Sequence, residues 1–132
     1  MWAFDSVFYQ IYPIGFCGAP RSNDGATVPR IRKVADWAEH IARLGCNAVY
    51  FSPIFESDNH GYDTRDYRRV DCRLGTNADF ADVCRTLHEH GIKVVVDIVP
   101  NHSSNLHEWF KAALAAAPGS PERDRYIFRD GK

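Results

Sequence analysis

Apolar residues in this chain follow two rhythms. Ser6–Ile11, Ala48–Ser52 and Lys93–Val99 are short runs rich in β-branched or aromatic side chains. Unbroken runs of that length predict strands buried on both faces, as in a parallel sheet. Tyr12-Pro13, Pro53 and Pro100 close them, because proline cannot donate to a sheet ladder. Between the runs the period changes to three and four. Ile31, Val34, Ala35, Ala38, Ile41 and Ala42 predict one face of a helix over Arg30–Leu44, with Gly45 capping its end. Phe80, Val83, Cys84 and Leu87 repeat the pattern. Thr76-Asn77-Ala78-Asp79 starts that second helix with a short-acid form of the capping box, and Gly91 ends it. The order β-α-β-α-β, with short turns after helices and long loops after strands, predicts a right-handed parallel α/β fold.

The polar stretches are uneven. Gly15–Pro29 has loop composition, and Asn23-Asp24-Gly25 reads as a solvated turn in preference to a cation loop. Glu56–Gly75 is a long excursion rich in Asp, Arg, His and Tyr, expected to be a functional loop. Beyond His102, Asn105–Ala117 has helical spacing, and Pro118-Gly119-Ser120-Pro121 breaks it. Trp109 and Phe110 are expected to be core there.

With 132 residues, 16 basic and 17 acidic, the chain is long enough for one modest core and too balanced for a nucleic-acid or polybasic membrane surface. No apolar run reaches membrane-spanning length, and Met1-Trp2-Ala3-Phe4-Asp5 lacks the basic start of a signal peptide. A cytoplasmic location is expected. Cys17, Cys46, Cys72 and Cys84 have no metal-finger spacing and are expected to be small buried or half-buried residues. His40, His88 and His90 fall on expected helices and are read as solvated.

One strand exit carries chemistry. Asp97, Asn101 and His102, an acid, an amide and an imidazole, follow the third run. In parallel α/β folds ligands bind at that end of the strands. Taken singly, each has a plain reading: Asp97 as a helix cap, His102 as a satisfied buried histidine, and Tyr62 and Asp63 as turn residues after Gly61. Asn101-His102-Ser103 fits the glycosylation sequon, but the strand exit and the absence of a leader argue against its use.

Four segments, in order, make the chain resemble the N-terminal part of the α-amylase superfamily of glycoside hydrolases. They are Val7–Pro13 (VFYQIYP), Ala48–Ile54 (AVYFSPI), Gly61–Tyr67 (GYDTRDY) and Asp97–His102 (DIVPNH). Asn101-His102-Ser103-Ser104, His107-Glu108-Trp109-Phe110 and Arg123–Lys132 resemble the α-glucosidase and oligo-1,6-glucosidase branch. The part before Gly75 resembles the cyclomaltodextrinase and neopullulanase side.

The resemblance implies a partial (β/α)8 (TIM) barrel. Residues 1–103 would supply strands 1–3 with helices 1–2, and residues 104–132 the start of a domain inserted after strand 3. A whole barrel takes about 250 residues, so the chain is expected to be a fragment. The implied activity is retaining hydrolysis or transfer at α-glucosidic bonds of malto- or isomalto-oligosaccharides, which needs two carboxyl groups roughly 5 Å apart. In the family these follow strands four and five, so no catalytic carboxylate is expected here and the chain alone is expected to be inactive. The same resemblance makes Tyr62 a stacking platform for glucose, Asp63 an acceptor for sugar hydroxyls and His102 a donor to the 6-hydroxyl. Asp97 would orient a basic residue from later in the barrel. Asn101 would brace its loop, the position that ligates calcium in some amylases. No cofactor is expected, with calcium left open for the longer parent. The expected partner is an α-glucan or oligosaccharide, with neither nucleic acid nor membrane, and an isolated three-stranded sheet is expected to self-associate. Two alternatives remain: a non-catalytic scaffold like the glucosidase-related heavy chains of amino-acid transporters, and a small α/β binding domain.

Overall fold

The structure is a computed structural model that describes residues 1–129. Asp130, Gly131 and Lys132, the end of the expected inserted segment, lie outside the described residues. The elements in chain order begin with β1 (Phe8–Ile11), α1 (Pro13–Phe16) and a 3-10 helix (Arg30–Trp37) that runs into α2 (Ala38–Arg43). Next come β2 (Ala48–Phe51), β3 (Phe55–Ser57) and β4 (Thr64–Val70). The last are α3 (Asn77–Glu89), β5 (Lys93–Val96) and α4 (Glu108–Ala115). Short 3-10 turns also occupy Trp2–Asp5 and Arg123–Arg125.

β1, β2 and β5 form the expected parallel sheet, with β2 in the middle. Ile11, Phe51 and Val96 stand side by side in register, as do Gln10, Tyr50 and Val95. Successive side chains alternate faces, so these two rows lie on opposite sides. The Ile11–Phe51–Val96 side packs on Ile31, Val34, Ala38 and Ile41 of the first crossover and on Val83 and Leu87 of α3. Each such branched side chain contributes about 1.5–3 kcal/mol when fully buried. Gln10 on the other side is exposed, and Tyr50 and Val95 are half-buried. The helices thus cover one face, as on the outside of a barrel.

Helix ends follow the local chemistry. Thr76 Oγ1 accepts from the Asp79 N–H at 3.2 Å, while an Asp79 carboxylate oxygen accepts from the Thr76 N–H at 2.9 Å. The aspartate therefore closes the capping box that glutamate usually closes. Gly91 takes φ +73° just after α3, the left-handed conformation that ends helices.

Three expectations change. Arg30–Trp37 is a 3-10 helix, and only Ala38–Arg43 is α-helical. With three residues per turn, Ile31 and Val34 both face the core. The Ile31 N–H leaves the helix to donate to the Leu74 carbonyl at 2.8 Å. Second, the Glu56–Gly75 excursion contains a β-hairpin, β3 against β4, antiparallel with two register shifts. Its inward residues are polar, so no apolar alternation marked it. Third, Trp109 is 47 % exposed and is not core. The four cysteines are free and partly buried, and His40, His88 and His90 are exposed, as expected. Among the described residues no helix is long and apolar enough to cross a membrane.

Candidate functional site

The hairpin rests on buried charge. Arg73 is fully buried, and its guanidinium grips Asp71 through Nε at 2.8 Å and Nη2 at 2.7 Å. The same group donates to Ser57 Oγ and to the carbonyls of Pro20, Arg21 and Asn59, all at 2.8–2.9 Å. One side chain thereby ties three loops: the one after α1, the hairpin turn, and the exit from β4. Such a fork matches carboxylate and carbonyl geometry in a way an ammonium cannot.

Glu56 is the second anchor, also buried. Burial pushes its carboxyl up, but bonds from Arg65, Asn23 Nδ2 and the Cys72 N–H outweigh that and hold it below the usual range. Arg65 also lies 3.2 Å from Asp58. Asp58 accepts from Ser104 Oγ, and the Ser104 N–H donates to the Thr64 carbonyl at 2.8 Å. Asp58 and Thr64 thus connect the hairpin to the chain leaving β5.

On this base sit the five residues singled out in the sequence. Asp63 lies in the hairpin turn, where its carboxylate accepts from Asn59 Nδ2 at 2.9 Å and the His60 N–H at 3.2 Å. Tyr62 is 40 % exposed, its ring tilted 38° to His60 with centroids 6.2 Å apart. Gly61 before it has φ +97°, and a side chain there would meet the Pro53 carbonyl at 3.0 Å. His102 is exposed, not a buried histidine, and its Nε2 lies 3.0 Å from the Tyr62 carbonyl. A carbonyl only accepts, so Nε2 carries the proton and Nδ1, 3.3 Å from Asn101 Nδ2, accepts. Tyr62, Asp63, His102 and Asn101 therefore converge at the strand exits. Asp97 stands deeper: its N–H extends the ladder to the Phe51 carbonyl at 2.9 Å, and its nearby carboxylate holds the Tyr50 phenol above its ordinary range.

Sequence reasoning missed the supports. Asp71, Arg73, Glu56 and Arg65 were given no individual role within the Glu56–Gly75 excursion, and only the density of charge in that stretch set them apart. Tyr67 was also missed. Its hydroxyl donates to the Val99 carbonyl at 2.7 Å and lies 3.0 Å from the His102 carbonyl.

Glu56, Asp71 and Cys72 could present ligand atoms within 4.8 Å of one another. Both carboxylates are already neutralised by Arg65 and Arg73, so a cation would have to displace a buried guanidinium. That donor set does not suit a metal. Beside His102, a cavity of about 1030 Å³ runs between Ile98–Ser103 and the later segment, with Trp109, Arg125 and Tyr126 on its far wall.

Parallel strands backed by helices on one face, with polar and aromatic groups gathered at the strand exits, are the architecture of part of a (β/α)8 barrel. Residues 10–132 match the family model described as alpha amylase, catalytic domain, and the chain belongs to that family. It is 38% identical over 132 residues to "Maltase 1" of Drosophila virilis, covering 98% of this chain and 20% of the relative. An "Oligo-1,6-glucosidase" of Heyndrickxia coagulans is 36% identical over 133 residues, covering 99% of this chain and 23% of the relative. Among solved structures, trehalose-6-phosphate hydrolase of Bacillus licheniformis superposes with a TM-score of 0.78 at 36% identity, covering 98% of this chain and 23% of that one. A mutant isomaltulose synthase of Erwinia rhapontici in complex with D-glucose gives 0.80 at 32% identity, covering 100% and 23%. The chain thus spans about a quarter of the length of the proteins it matches.

Proposed function

We propose that this chain forms the sugar-binding wall of a retaining enzyme acting on α-glucosidic bonds of malto- or isomalto-oligosaccharides. The observation that carries the reading is the convergence of Tyr62, Asp63 and His102 on one strand-exit surface, joined by the His102 Nε2 to Tyr62 carbonyl bond. An exposed tyrosine face suits the apolar C–H face of a pyranose, a carboxylate accepts from vicinal hydroxyls, and an imidazole N–H donates to a third. By the family resemblance Asp97 orients a later basic residue and Asn101 braces the loop. The nucleophile and acid/base follow strands four and five of such a barrel, whereas the described residues form three parallel strands. The chain by itself is therefore expected to bind glucose units without cleaving them. Residues 1–103 are assigned to the barrel and 104–132 to the inserted domain. β1 and β5 each have only one neighbour in the parallel sheet, which supports self-association of the isolated chain through those edges.

The test is a titration of the 132-residue chain with methyl α-D-glucopyranoside, followed by amide shifts. Weak binding, with a Kd of about 1 mM or above, is expected to move Tyr62, Asp63 and His102. It is expected to vanish in Tyr62→Ala and Asp63→Ala, and p-nitrophenyl α-glucoside is expected to stay intact. No shift at those three residues refutes the reading.

A further inference from the structure

The strand-exit loop carrying His102 has few bonds of its own. Beyond the Asp97 N–H to Phe51 carbonyl bond, β5 leaves the ladder, and Pro100 has no N–H to give. Asn101 and His102 are exposed. Val99 is buried and anchors the start of the loop, but the exposed imidazole lies outside that packing, its Nε2 meeting the Tyr62 carbonyl at hydrogen-bond distance. The backbone between Val99 and His102 has a further support.

That support comes from β4. Tyr67 crosses beneath the loop with its ring against His107 (centroids 5.5 Å apart) and Phe55 (6.1 Å). His107 is buried, its Nδ1 accepting from the Trp109 N–H at 3.0 Å, so the wall behind Tyr67 is itself fixed. The phenol Oη then reaches two carbonyls of the loop, Val99 at 2.7 Å and His102 at 3.0 Å. One hydroxyl proton serves both, the shorter contact taking the larger share. Burial holds the phenol above its ordinary range, so the donor keeps its proton.

We propose that Tyr67 is a positioning residue: its hydroxyl fixes the Val99–His102 backbone so that the His102 imidazole is presented to the Tyr62 loop in its Nε2–H form. Its value for ligand binding rests on the sugar-site reading above; its effect on His102 does not. Tyr67 touches no substrate in this role. It sets the direction of a donor carried on the exposed Asn101–His102 part of the loop, between the buried Val99 and the anchored Ser104.

The test is Tyr67→Phe, which keeps the ring between Phe55 and His107 and removes only the hydroxyl. Side-chain ¹⁵N shifts of His102 report the tautomer, and the Tyr62 carbonyl ¹³C shift reports the bond it accepts; both are read without sugar. The expected result is a cooperatively folded variant in which His102 becomes a tautomer mixture and the Tyr62 carbonyl signal moves. Affinity for methyl α-D-glucopyranoside is expected to fall about three- to tenfold, the worth of one hydrogen bond. Unchanged His102 and Tyr62 signals overturn the proposal whatever the sugar does. Moved signals with a wild-type chain that binds no glucoside leave the positioning role standing and refute the sugar site instead. Should Tyr67→Phe not fold, the wild-type protein decides. A Tyr67 hydroxyl proton protected from exchange supports the proposal, and one exchanging at the solvent rate overturns it.

Discussion

Replacing Arg73 by methionine separates its charge from its bulk. Methionine fills much of the space apolarly but removes six side-chain donations: two to Asp71, one to Ser57 and three to loop carbonyls. The carbonyls of Arg21 and Asn59 belong to exposed residues and can turn to water at little cost. Asp71 cannot. It is 1 % exposed and keeps only the Ser57 N–H and Oγ and the Arg73 N–H. Breaking a buried pair from one side costs about 3–5 kcal/mol, against about 5–15 kcal/mol for a whole domain. Arg73→Met is therefore expected to lose a large share of the fold's stability, about 3–5 kcal/mol, read as a fall in the urea midpoint by far-UV circular dichroism. Adding Asp71→Asn removes the stranded charge and is expected to restore about 1–3 kcal/mol, the coupling expected of residues in contact. Arg73→Lys should fall between, since an ammonium has three donors and no fork. A midpoint unchanged in Arg73→Met, at an unchanged slope, refutes the clamp.

Other outcomes follow from single environments. Glu56 is held below its ordinary 4.5 in the fold, so its contribution is present above about pH 4.5 and lost as pH falls through the folded value. Wild type should lose stability on acidification more steeply than Glu56→Gln, and parallel pH curves would contradict this. Burial, only partly offset by Lys33 and Arg30, pushes the Cys17 thiol up to about 11. Ellman's reagent at pH 8 should therefore label Cys17 slowly until the chain is unfolded, and immediate labelling of the native thiol would argue against that burial. Gly61→Ala forces an L-residue to φ +97° and sets its Cβ 3.0 Å from the Pro53 carbonyl. It should cost about 1–3 kcal/mol in thermal melts, and a neutral result would show that the turn relaxes freely.

The parallel sheet was legible because its core-facing side is written in apolar residues: Ile11, Phe51 and Val96 align as a continuous row. The α3 cap was legible for the same reason, Thr76 and Asp79 being local chemistry three residues apart. The hairpin was not, because β3 and β4 turn Glu56, Ser57 and Thr64 inward and their satisfaction depends on distant partners, Asn23 lying 33 and 34 residues from Glu56 and Ser57. The 3-10 stretch escaped because Ile31 and Val34, three apart, suit an α-helix equally well. Tyr62, Asp63 and His102 were placed as site residues by motif. Their convergence on one surface is geometry that no spacing encodes. Trp109 was misjudged because its helical period with Ala113 looked like a buried face, while the structure turns it toward Arg125 and the cavity.

The contacts of Arg73 also bear on the order in which the chain is made. Its bonds to the Pro20 and Arg21 carbonyls reach back 53 and 52 residues, and to Asn59 only 14. All these partners precede it in the chain. The loop bearing Tyr62 and Asp63 can therefore close before β5 leaves the ribosome, and at 5–20 residues per second that interval is roughly one to five seconds. His102 is thus made only after every partner of the Arg73 clamp is in the chain.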